Sequence, residues 1–273
     1  MKFPRVVMRS IIIGALLLVG LVVPGKAQGI SYGRPDMGGH PNVGALIGLF
    51  PSLTGGDDEL FQVCTGTLIA PKVVLTAAHC FPPNSDAKDR FFTFDQSYEA
   101  NEDGVVVDPD ISLYSGHQVV HPSFGASPRR DNQYDMAVFL LDEVPGISPA
   151  ELPAAGFLND KALTGQSFTT VGYGITRDTN HKAWQSFMLE NSMRMVAEQT
   201  LTERTAAWVT FSMNLAAGNG GSCYGDSGGP HLFGDVVVSI TVGGDQPCKA
   251  VDKTVRIDTP VALEFLGQYV AVP

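Results

Sequence analysis

The densest chemical signal in the chain is Gly221-Ser222-Cys223-Tyr224-Gly225-Asp226-Ser227-Gly228-Gly229-Pro230. A serine hydroxyl is a weak nucleophile until a base takes its proton and hydrogen-bond donors stand ready for the oxyanion. Both demands bend the backbone. Glycines on either side of Ser227 allow a sharp turn that aims amide N–H groups at a reacting carbonyl, with Gly225 and Ser227 as the natural donors. A bland glycine-rich turn carrying an exposed serine explains short strings better than one of this length.

The core Gly225-Asp226-Ser227-Gly228-Gly229 also fits the Gly-x-Ser-x-Gly elbow of α/β-hydrolases, and chain order tests that alternative. Such a fold takes its acid and its histidine from after the serine. Beyond Ser227 the sole histidine is His231, four residues on, too near to be a distant base. A base must then lie upstream. Leu75-Thr76-Ala77-Ala78-His79-Cys80 supplies one at the end of an apolar strand, with small residues ahead of the imidazole. His40, His117, His121, His181 and His231 sit in ordinary turn or strand contexts.

The third requirement is a carboxylate that fixes the imidazole tautomer and stabilises the imidazolium. Asp135 heads the apolar run Met136-Ala137-Val138-Phe139-Leu140-Leu141, and an acid entering a core there needs a partner. Asp131 falls in a polar loop, and Asp142 ends the same strand.

Short β-rich runs separated by Gly, Pro, Asn and Asp must position these groups. Strands are predicted over Val43–Phe50, Gln62–Ile69, Lys72–Thr76, Met136–Leu141, Ser167–Tyr173, Ala207–Phe211, Val236–Thr241 and Thr254–Ile257, an all-β antiparallel pattern. Thr259-Pro260 followed by Val261, Leu263, Phe265 and Leu266 predicts a short C-terminal helix with an N-cap and a first-turn proline. Ala183–Thr200 suits either a helix or a strand with loops. Asp142–Pro153, rich in turn residues, is the expected link between two halves.

Lys2, Arg5 and Arg9 precede an apolar run from Ile11 to Val23 and the small residues around Ala27, the layout of a secretory signal peptide over residues 1–27. Removing it takes four of the 18 basic residues and none of the 28 acidic ones, moving the formal charge from −10 to −14. Nucleic-acid binding, which relies on cationic contacts to phosphate, is thereby disfavoured. No membrane role is expected after cleavage. Four cysteines in an exported chain imply disulfides, and three pairings are open from spacing alone.

Thr76-Ala77-Ala78-His79-Cys80, Asp135-Met136-Ala137 and Gly225-Asp226-Ser227-Gly228-Gly229-Pro230 together resemble the signature segments of the chymotrypsin–trypsin family of serine peptidases, in the order His, Asp, Ser. The resemblance implies two antiparallel β-barrels, here 28–145 and 146–273, with the catalytic residues His79, Asp135 and Ser227 in the cleft between them. It implies an oxyanion hole at Gly225 and Ser227 and disulfides Cys64–Cys80 and Cys223–Cys248. It also implies peptide or protein substrates and no metal or organic cofactor. The alternatives are a protease-fold binding protein that has lost catalysis and an esterase using the same triad.

The chain departs from that pattern at several places. Trypsins carry an acid six residues before the serine; here that substrate-pocket position is Gly221, next to Ser222. Asp252 falls either on the pocket's opposite wall, where it would restore a cationic preference, or in a solvated loop, the favoured expectation. The usual Ser-Trp-Gly along the pocket aligns with Val242-Gly243-Gly244, which removes a hydroxyl supporting the catalytic aspartate. Activated relatives bury a new terminal ammonium against the acid before the serine, here Asp226. The matching stretch is Ile30-Ser31-Tyr32-Gly33, so either a second cut frees Ile30 or Asp226 finds another partner. Asp95, Glu99, Glu102 and Asp103 are expected to form a solvated acidic loop, with calcium ligation as the alternative.

Overall fold

Runs of β-branched and aromatic residues that alternate sides of a pleated chain bury one face, and sheets that close on themselves leave no bare edge. The computed structural model describes residues 30–52, 55–125, 133–177, 188–189 and 191–273. The signal-peptide reading, Asp131, His181 and most of 183–190 lie outside them.

The strands are β1 (Arg34–Pro35), β2 (Val43–Phe50), β3 (Glu59–Ala70), β4 (Val73–Thr76), β5 (Asp89–Thr93), β6 (Tyr114–Val120), β7 (Ala137–Leu141), β8 (Ser167–Gly172), β9 (Thr176–Arg177), β10 (Met188–Leu189), β11 (Met195–Arg204), β12 (Trp208–Ser212), β13 (Pro230–Phe233), β14 (Val236–Gly244) and β15 (Val251–Arg256). A short helix, α1 (Pro260–Leu266), follows, and its Thr259 side chain accepts from the Ala262 amide at 3.2 Å. Capping of this kind satisfies a backbone donor that the first helical turn leaves free.

β2-β3-β4-β7-β6-β5 close into one antiparallel barrel, and β8-β11-β12-β15-β14-β13 into a second. β1 pairs with β11, so the segment ahead of the first barrel runs along the second. The first barrel is filled by Leu46, Leu68, Val74, Phe92 and Phe139, with the rings of Phe92 and Phe139 edge to face at 5.2 Å. The second encloses Phe168, Leu201, Val209, Phe211 and Val238. A further core lies between them: Val43, Leu75, Met136 and Val138 of the first pack with Val171, Val196, Ile240 and Val255 of the second, and Phe265 of α1 closes it.

β5, β6, β11 and β13 were not among the strands predicted from the pattern, and β15 begins three residues earlier than predicted. The ambiguous Ala183–Thr200 stretch resolves, from Met195 onward, into strand. Disulfides join Cys64 to Cys80 and Cys223 to Cys248, with Cα atoms 6.2 and 5.2 Å apart.

Candidate active site

β4 and β7 are neighbours in the first barrel, with Thr76 opposite Ala137. One strand therefore ends where the other begins, and this brings His79, in the single helical turn Ala78–Cys80, beside Asp135, two residues ahead of β7. The His79 ring donates from Nδ1 to Asp135 Oδ2 at 2.8 Å, and the His79 amide donates to Oδ1 at 2.9 Å. Both carboxylate oxygens of this buried acid are thus engaged, and the imidazole is held with its Nε2 free.

The second barrel supplies the serine from the turn ahead of β13. Asp226 donates its amide to Cys223 O at 3.1 Å, and Gly229 N–H donates to Asp226 O at 2.8 Å. The first barrel clamps the same turn: the Thr65 amide donates to Ser227 O at 2.9 Å, and Gln62 Nε2 and Thr65 Oγ1 both donate to Gly225 O at 2.9 Å. Gly228 has φ +79°, and a Cβ there would lie 2.1 Å from Thr76 Oγ1 and 2.5 Å from Thr65 O, so only glycine fits. Among the described residues the amides of Gly225 and Ser227 donate to no protein acceptor, whereas those of Asp226, Gly228 and Gly229 all do.

His79 and Ser227 line one cavity of about 300 Å³ together with Ser222, Val242, Gly243 and Gly244. On their other side, about 490 Å³ opens against Phe50, Val63, Arg90 and the Cys64–Cys80 bridge. Val242 packs against the first barrel's core and the seam core, and Asp135 draws both of its hydrogen bonds from His79. Gly221 and Asp252 do not line the cavity wall. Asp252 is fully buried on β15, which corrects the solvated-loop expectation. Sequence reading missed its partners, Gln199 and His231, because isolated polar residues carry no periodic signal.

Asp226 is also buried, and its carboxylate accepts from the amides of Gly174 at 2.7 Å and Cys223 at 2.8 Å. Burial raises its pKa to about 7 against the lowering effect of those two bonds. In the uncut chain its partners are these two backbone amides. Ile30 is buried, and Ser31 forms a bridge to Gly221. Asp95 spends a carboxylate oxygen on the Ser112 amide, and among the described residues the acids of that loop form no cluster suited to a cation.

Fold and site together define a class, the two-barrel serine endopeptidases. The chain belongs to the Trypsin family, whose model matches residues 46–266. It is 25% identical over 202 residues to Kallikrein-8 of Rattus norvegicus, covering 71% of this chain and 73% of that one. It is 29% identical over 246 residues to "Trypsin, alkaline C" of Manduca sexta, covering 85% and 89%. The solved structure of HL collagenase superposes with a TM-score of 0.59 at 17% identity, covering 89% of this chain and 96% of that one, a likeness of fold. Peptides and proteins are accordingly its substrates.

Proposed function

We propose that the chain is a secreted serine endopeptidase in which Ser227 is the nucleophile, His79 the general base and acid, and Asp135 the group that orients His79. The observation that carries this reading is the two-point grip of Asp135 on His79, with His79 and Ser227 on one cavity. With Nδ1–H committed to Asp135, His79 Nε2 takes the Ser227 Oγ proton as Oγ bonds to the scissile carbonyl carbon. The unengaged amides of Gly225 and Ser227 receive the oxyanion. Collapse breaks the C–N bond, and Nε2 returns its proton to the leaving amine. Water then attacks the acyl ester by the same route, freeing the acid and restoring Ser227 Oγ–H. The basic and apolar leader, with Ala27 at its end, supports export.

The test is labelling of the purified protein by a fluorophosphonate, with Ser227→Ala as control and casein and short-ester turnover in parallel. Labelling lost in the variant, with casein cut, is expected. A folded protein that is not labelled overturns the reading, and ester turnover without casein cleavage would replace it with an esterase.

A further inference from the structure

The second of the two cavities beside Ser227 continues outward. Phe50 and Val63, which wall it near the Cys64–Cys80 bridge, also wall an outer cavity of about 520 Å³, joined there by Pro51 and Phe61. Glu59 and Asp86 are the charged residues of its lining. Of the cations in this part of the chain, Lys88 turns its ammonium to Asp58 at 2.7 Å, and Arg90 lies over the Phe81 ring on the inner cavity.

The β2–β3 hairpin builds this surface. Gly48 lies opposite Phe61 and Phe50 opposite Glu59, so these four positions share one face of the pleat. The Phe50 ring lies back over Gly48, where a Cβ would come within 2.6 Å of it, and meets the Phe61 ring edge to face at 6.0 Å. Val63 falls where the register shifts and has no residue of β2 opposite it, a bulge that re-aims its side chain. Ser52 Oγ donates to Glu59 Oε1 at 3.1 Å, which steadies that acid. Phe50, Phe61 and Val63 all remain partly exposed, and water leaves apolar surface of this kind favourably when another apolar group covers it.

Chain direction says what would cover it. His79 returns its proton to the leaving amine, and the residues that follow it, Pro82 and Ser85, wall the second cavity and not the first. The released side of a substrate therefore runs out over Phe50 and Val63. Thr65, whose amide holds Ser227 O, and Phe61 stand four residues apart on β3, about 13 Å of extended chain. An extended substrate covers the same distance in three or four residues.

We propose that the outer cavity is a second recognition site for the substrate, holding an aromatic or large aliphatic side chain at the third or fourth residue beyond the scissile bond. The inference rests on the endopeptidase reading with Ser227 as nucleophile. Phe50, Phe61 and Val63 bury that side chain, and an acidic one is rejected because it would meet Glu59 and Asp86.

The experiment takes one cut that the enzyme makes in casein and builds quenched fluorescent peptides on it. They differ only in carrying Leu, Ser or Asp at the third or the fourth residue after the bond. Fluorophosphonate labelling of Ser227 counts the active sites in each sample. Wild type is expected to favour Leu over Asp at one of the two positions by at least about tenfold in kcat/KM, with Ser between them. Phe61→Ala should bring that ratio within about threefold, and Phe61→Leu should restore most of it. Labelled, casein-cleaving wild type with equal rates on all the peptides, or a preference that survives in labelled Phe61→Ala, overturns the proposal and leaves the endopeptidase reading intact. A folded wild type that is neither labelled nor cuts casein overturns both.

Discussion

Asp226 sits next to the nucleophile yet answers to burial more than to catalysis. A carboxyl whose pKa rises on folding, here to about 7, is more protonated in the native state than in the unfolded chain. Native structure then binds more protons between about pH 4 and 7, so stability from this group is present below about pH 4 and is lost as pH climbs to about 7. Chemical denaturation across that range should show the decline, and Asp226→Asn should flatten it. Asp36 has the opposite sign and a separate window. Although burial works to raise its pKa, hydrogen bonds from His40 and Arg194 hold it at about 2, so its contribution is lost only as pH falls from about 4 to 2.

At the scale of elements, the ends of β4 and β7 and the turn before β13 are what bring His79, Asp135 and Ser227 to one cavity. The Cys64–Cys80 bridge pins the turn carrying His79 to β3, the strand that also clamps Ser227 O through Thr65. It closes a sequence separation of 16 residues, and cross-linking a loop of that length restricts the unfolded chain by about 3 kcal/mol. The double variant Cys64→Ser, Cys80→Ser is expected to lose about that much stability in denaturant titrations. Its labelling by a fluorophosphonate should slow as His79 loosens. Strands rich in apolar and β-branched residues, such as β2 and β12, were legible from residue type. β6, with its Ser115, Gly116 and His117, was not, because pairing with β5 and β7 holds it in place of any strong local preference.

For the molecule as a whole, the seam between barrels matters most, and a single guanidinium ties much of it. Arg194, 2% exposed, donates Nε to Asp36 at 2.9 Å and one terminal nitrogen to Val43 O, Phe94 O and Tyr173 Oη at 3.1, 3.0 and 3.0 Å. Those partners come from the segment before β2, from β2 itself, from the residue after β5 and from the residue after β8. Removing one member of a buried, hydrogen-bonded charge pair typically costs about 3–5 kcal/mol, because the other is left uncompensated. Arg194→Met is therefore expected to destabilise by about that amount in denaturant titrations, and the joint variant Asp36→Asn, Arg194→Met by less than the single one.

What the sequence determined by itself is the local chemistry. The glycine turn around Ser227, the small residues before His79 and the acid at the mouth of an apolar run are demands met by neighbours in the chain, and the Trypsin family membership follows from them. The capped C-terminal helix was legible for the same reason. Tertiary structure alone decided the fate of Gln199, His231 and Asp252. They lie on three strands and converge behind Ser222, where Asp252 Oδ2 meets Gln199, His231 and the Ser222 hydroxyl. In sequence, each interrupts an apolar pattern, which is why the stretch leading into β11 stayed open between helix and strand and why β13 and the start of β15 were not predicted. Periodicity records burial paid for by apolar surface, whereas a buried polar network is held together by partners that become neighbours only after folding.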